Sequence, residues 1–213
     1  MDGATLQQKI YAGYARAAGK IGLSYQLFRA AGALNPMAGT PLATLAAAFS
    51  AEDYRFAKPA GYGQAAWWAL FDGAPTAVGD ILVGPKTFFI AAQQELAPIL
   101  VIEAPRLVDL HRPFRETGVG YQTAYGGTTS EQESVLAQQF PASILAGARG
   151  APASADLPDD LHDPGWAILM PAPPGVTIQT SDILKDDLGR RFDIASAELT
   201  PLGWRLAAIQ AQV

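Results

Sequence analysis

Few residues of this 213-residue chain have types and spacings suited to acid–base or metal chemistry. It contains two histidines and no cysteine, so disulfides, thiolate metal sites and thiol nucleophiles are excluded together. His111 ends an apolar run ahead of Arg112-Pro113, which places it at a strand exit with no catalytic partner nearby in sequence. His162 belongs to Asp156-Leu157-Pro158-Asp159-Asp160-Leu161-His162-Asp163, where carboxylates and one imidazole could together hold a divalent cation. That run lacks the spacing and the turn glycine of an EF-hand loop, and reads more simply as a solvated acidic loop. Glu131 or Glu133 with Asp159 or Asp160 are the visible carboxylate pairs for glycoside hydrolysis, where separation in space decides. There is no Gly-x-Ser-x-Gly nucleophile motif, and Gly118-Val119-Gly120 and Gly126-Gly127 lack the strand-then-helix setting of a phosphate loop. Arg190-Arg191 faces Asp186-Asp187 across a tight turn, and local charge pairing accounts for all four. The expectation is a protein without catalytic residues, metal or cofactor.

The elements that would position these groups are mostly β. Residues 181–210 match an earlier stretch, 79–103. Both carry Asp-Ile-Leu, as Asp80-Ile81-Leu82 and Asp182-Ile183-Leu184. Both continue into Phe-x-Ile-Ala, as Phe88 to Ala91 and Phe192 to Ala195, and both reach Glu-Leu-x-Pro, at Glu95 and Glu198. Such self-similarity marks a repeated supersecondary unit. In the second copy Gly189 supplies a turn residue free to take positive φ. Arg191, Phe192, Asp193 and Ile194 alternate polar and apolar as in a half-buried strand. Trp204, Leu206 and Ala208 share one face of a final strand. The apolar run at residues 99–102 of the first copy predicts deeper burial or contact with a partner.

Leu6, Ile10, Tyr14, Ala17 and Ile21 predict an amphipathic helix over residues 5–20, capped by Thr5. Thr40-Pro41 resembles a helix start, so residues 41–49 read as a short helix. The capping-box patterns Thr128-x-x-Glu131 and Ser130-x-x-Glu133 predict another through Leu136. A strand is expected over residues 166–170. The expected division is a helical region (1–50), a first β unit (51–112), a loop-rich insertion (113–163) and a second β unit (164–213). The fold class is mainly β with minor α: two related small antiparallel barrels or sandwiches.

Apolar residues make up 49% and charged residues 16%, which supports a packed core. The net charge of −5 gives no whole-protein attraction to a phosphate backbone, so no specific nucleic-acid binding is expected, although an acidic lumen would let DNA pass. The most helix-like apolar run, residues 42–49, is too short to span a bilayer, and no membrane partner is expected. Trp67 and Trp68 head the densest aromatic cluster and read as core or as an exposed contact patch. With Tyr54, Tyr62, Tyr121, Tyr125, Glu131, Asp159 and His162 they form the candidate interface residues.

The Asp182-Ile183-Leu184 strand, the Asp187-Leu188-Gly189-Arg190-Arg191 turn, Phe192-Asp193-Ile194 and the closing Trp204-Arg205-Leu206 resemble the small β-barrel proteins of tailed-bacteriophage necks, the stopper-type head–tail connectors. The chain is also similar to prophage-encoded virion proteins in residues 79–92 and at Tyr125-Gly126-Gly127-Thr128-Thr129. The resemblance implies a non-enzymatic virion component, made in the bacterial cytoplasm, that forms a homo-oligomeric ring against other neck or tail proteins. The loops at 54–62, 118–133 and 156–163 are the expected docking elements. Greater length, duplication and a long central region depart from the single-barrel pattern, so stopper, tail-terminator, collar and baseplate positions stay open. A glycan-binding tail module using Trp67 or Trp68, and a glycan-cleaving tail enzyme using the carboxylates above, are the alternatives.

Overall fold

A computed structural model describes residues 2–50, 65–113, 133–146 and 165–211. It contains two closed antiparallel barrels of six strands each and one helix. The helix α1 (Gly3–Ile21) precedes the first barrel, built from β1 (Leu23–Phe28), β2 (Ala43–Ser50), β3 (Ala66–Leu70), β4 (Ile81–Val83), β5 (Thr87–Ala92) and β6 (Ile99–Glu103). The second comprises β7 (Arg106–Pro113), β8 (Glu133–Ala146), β9 (Trp166–Met170), β10 (Ile183–Asp186), β11 (Arg191–Thr200) and β12 (Gly203–Gln210). The strand orders are β1-β2-β3-β6-β5-β4 and β7-β8-β9-β12-β11-β10, so the second barrel repeats the topology of the first strand for strand. The duplication therefore covers the whole barrel, well beyond the 79–103 and 181–210 segments.

Strand register gives the correspondence residue by residue. Leu27, Leu82 and Phe88 lie side by side across β1, β4 and β5, as Leu110, Leu184 and Phe192 do across β7, β10 and β11. Trp67 pairs with Val101 as Trp166 pairs with Ala208. Each β5-type strand has an irregular step at the same place, Ile90/Ala92 and Ile194/Ser196. The two interiors reach similar packing with different residues. Where the first has Tyr25 and Ala69 the second has Val108 and Ile168, an exchange of large for small that preserves core volume.

Several expectations need correction. Residues 43–50 are strand β2, not helix. Glu133 and Leu136 lie in strand β8, so the expected helix through Leu136 is absent there. Asp2 caps α1, its carboxylate accepting from the Thr5 amide at 2.8 Å; Thr5 is already inside the helix. The strands also divide the chain differently. β1 and β2 fall within the supposed helical region, β7 at the end of the supposed first unit belongs to the second barrel, and β8 crosses the supposed insertion.

The barrels pack against each other unequally. A row on the outer face of the first, Phe28, Ile81, Phe89, Ile102 and Ala66, runs straight across β1, β4, β5, β6 and β3. With Ala91 and Leu100 it packs on Leu145 of β8 and Leu169 of β9. This is why residues 99–102 are apolar on both faces: one lines the barrel and the other the joint. The β1–β2 connection adds to that joint. Ala30 and Ala33 pack on the second core, while the Asn35 amide donates to the Gln138 carbonyl and the Gln138 amide to the Ala33 carbonyl. Helix α1 packs on β2 and β3 of the first barrel, where Tyr11 reaches the core. Within the described residues no helix is long and apolar enough to cross a membrane.

Candidate functional site

Each barrel carries the same polar fixture at the entry to its fourth strand. Asp80 and Asp182 are almost fully buried, at 1% and 2% exposure. Arg29, just past β1, donates Nε and Nη2 to the two Asp80 oxygens, both at 2.7 Å. Arg112 on β7 does the same to Asp182, both at 2.8 Å. The Ala77 amide donates to Asp80 Oδ2 and the Gln179 amide to Asp182 Oδ2. Each guanidinium also donates to a carbonyl two residues earlier, on Pro75 or Thr177. The preceding residue has a left-handed backbone in both copies, Gly79 at φ +90° and Ser181 at φ +70°. Charge-assisted bidentate pairs of this kind satisfy a carboxylate that would otherwise be costly to bury. They tie the turn before β4 or β10 to the end of β1 or β7.

A second repeated feature sits over the tryptophans. Trp67 and Trp166 face inward and meet Phe88 and Phe192 edge to face. A cation from the β4–β5 or β10–β11 turn covers each indole, Lys86 at 5.1 Å from the Trp67 ring and Arg190 at 5.0 Å from that of Trp166. Asp186 holds Arg190 in place through its Nε at 2.8 Å and accepts from the Leu188 and Arg190 amides. Trp67 is therefore a core residue. Trp68 points outward from β3 and is half-buried.

The second barrel adds one cluster that has no counterpart among the described residues of the first. The Glu133 carboxylate is fully enclosed, taking Lys185 Nζ at 2.7 Å and Arg191 Nη1 at 2.6 Å, with His111 Nδ1 at 3.7 Å. Burial pushes its pKa up, but the bonds from Lys185 and Arg191 outweigh that and hold it below the usual carboxylate value. His111 is shifted down, first by burial and then by the Lys185 charge, against the opposing pull of Glu133 and Asp109. Arg191 thus pairs with Glu133, while Asp186 takes Arg190, so the local pairing expected across the 186–191 turn holds for one arginine of the two.

Beside the Arg112–Asp182 pair lies an open cleft of about 300 Å³, whose walls include Ser134, Gln179, Thr180 and Ser181. No group of three His, Cys, Asp or Glu residues suited to a metal occurs among the described residues. Of the candidate interface residues, Trp67 and Trp68 are adjacent on β3 but face opposite sides of it. Tyr54, Tyr62, Tyr121, Tyr125, Glu131, Asp159 and His162 lie outside the described residues, as do Asp160 and the expected docking loops apart from Glu133. Sequence reasoning missed Arg29 and Arg112. Their signal was present in Leu27-Phe28-Arg29 and Leu110-His111-Arg112, at the end of the strand that pairs with each Asp-Ile-Leu strand but lies three strands earlier in sequence. Scans of protein-family models and searches of curated proteins and of solved structures return no match to this chain.

Proposed function

We propose that the protein is a structural component of a tailed-phage particle, a head–tail connector or tail ring subunit that acts by docking. The observation that carries this reading is the use made of its buried carboxylates. Asp80, Asp182, Asp186 and Glu133 are each held by two or more fixed donors, and each ties strand ends or turns together. A general acid or base needs an open face toward its substrate. These groups instead stiffen two small barrels, a property suited to a part whose work is geometric. Small closed antiparallel barrels are the kind of unit that the connector resemblance implies, although this chain carries two in tandem where that pattern has one. The inward placement of Trp67 gives the glycan-stacking alternative less support.

Mass spectrometry of purified phage particles from the source, quantified against the major capsid protein, tests the proposal. A low, fixed copy number in intact particles is the expected result. Absence from particles that are otherwise complete would overturn it.

A further inference from the structure

The two barrels are equivalent, yet they meet through unlike surfaces. The β4–β5–β6 face of the first packs on the β8–β9 side of the second. A contact of this kind between like units leaves one unused half at each end of the pair. On the second barrel that half is the outer face of β10, β11 and β12. Register places Val135, His111, Ile183, Asp193 and Ile209 in one straight row across β8, β7, β10, β11 and β12. Its last four positions correspond to Phe28, Ile81, Phe89 and Ile102, the row that joins the barrels. Ile183 is kept, and Ile209 and Val135 stand 46% and 51% exposed. Asp193 and His111 replace the two phenylalanines; Asp193 is exposed, whereas His111 lies largely buried beside Glu133 and Ile183 is buried, so Asp193, Ile209 and Val135 are the accessible positions of the row.

At the other end, the β2–β3 side of the first barrel is covered by α1, so α1 occupies the place a preceding barrel would take. Helix α1 has three cations and no acidic residue in a chain of net charge −5. Lys9, Gly13, Arg16 and Lys20 recur at helical spacing on its exposed side. A Cβ added at Gly13 or Gly19 would meet nothing within 4 Å. Nothing within the described chain therefore requires glycine there, although each is a poorer helix former than alanine. Close approach by another chain supplies a reason.

We propose that copies of this chain associate head to tail, the Asp193–Ile209 face of one docking on the exposed Gly13–Arg16 face of α1 in the next. Asp193 meets the basic stripe, Ile209 and Val135 are covered, and the glycines let the strands approach the helix. The contact closes into a ring if the rotation per copy closes a full turn, and otherwise extends as a filament. This deepens the assembly role proposed above and rests on it only for its biological setting.

Sedimentation velocity of the full chain, over a range of concentration and salt, tests the contact. The expected result is a mass that rises with concentration and falls with added salt. Asp193→Lys and Gly13→Gln should each weaken association at least about tenfold with unchanged circular dichroism. Adding Arg16→Asp to Asp193→Lys should recover much of the loss. A wild-type chain that stays monomeric at low salt, or association indifferent to these changes, would overturn the proposal. A monomer that is nonetheless found in particles would end this contact and leave the connector role standing. A self-associating chain absent from particles would do the reverse.

Discussion

Ser181 holds the same left-handed backbone as Gly79 in the other copy, but with a side chain to accommodate. A Cβ in that region is strained, whereas glycine is not. Ser181→Gly is therefore expected to stabilise the second barrel by about 0.5 to 1 kcal/mol, after the extra chain entropy of glycine is offset. Urea titration would detect it; unchanged or lower stability would contradict the strain argument. At the Glu133 cluster the sign of the pH effect follows from the shifts. His111 has a lowered folded pKa, so its contribution is present above the ordinary imidazole value of about 6.5 and is lost as pH falls below it. Glu133 is also lowered, so its contribution is present above the ordinary carboxylate range and is lost on further acidification. Asp109 and Arg191 act on His111 as well, and the net shift is still downward. His111→Gln should flatten the stability profile just below about pH 6.5 and leave the steeper loss at carboxylate pH. An unchanged slope in that window would show that His111 does not titrate as its surroundings require. At this scale the sequence exposed Asp80 and Asp182 as repeated letters. It did not expose Arg29 and Arg112, because each bond spans 51 or 70 residues.

Among the elements, β2 shows why local pattern misled. Ala43, Ala46, Ala47 and Ala48 favour helix, and Thr40-Pro41 looks like its start. Yet Leu45, Ala47 and Phe49 also alternate, and all three pack toward the first core. Pairing with β1 and β3 gives those backbone groups partners and decides for strand. From Glu133 onward the helix expected through Leu136 gives way to strand for the same reason, since β8 pairs along much of its length with β7 and β9. The joint between α1 and β1 depends on one small residue. A Cβ at Gly22 would lie 2.6 Å from the carbonyl oxygens of both Ala18 and Ala47. Gly22→Ala is expected to cost about 2 kcal/mol or more and to loosen α1 from the barrel, because neither backbone atom can yield cheaply. Hydrogen exchange should show faster exchange over α1 with β4, β5 and β6 little changed. Equal protection of α1 in both proteins would rule this out.

The whole molecule is a pair of topologically equivalent barrels joined through an apolar row and the β1–β2 connection. Phe89→Asp would give the first barrel the residue that its counterpart carries at Asp193, placing an unpaired charge in the joint. The expected outcome is a loss of about 3 kcal/mol or more and the splitting of a single calorimetric transition into two. One transition at wild-type temperature would mean that the joint contributes little. The mainly β fold class is legible in the amino-acid order alone, because alternation, turn residues and an internal repeat are local and survive without neighbours. That order also determined the identity of Asp-Ile-Leu and Phe-x-Ile-Ala as paired strands. Three features emerge with the folded chain alone: the repeat spans a full barrel, the Arg–Asp pair occurs in both copies, and α1 covers the β2–β3 side of the first barrel. Those facts depend on contacts between residues far apart along the chain, and barrel closure and packing set them where neighbouring letters do not.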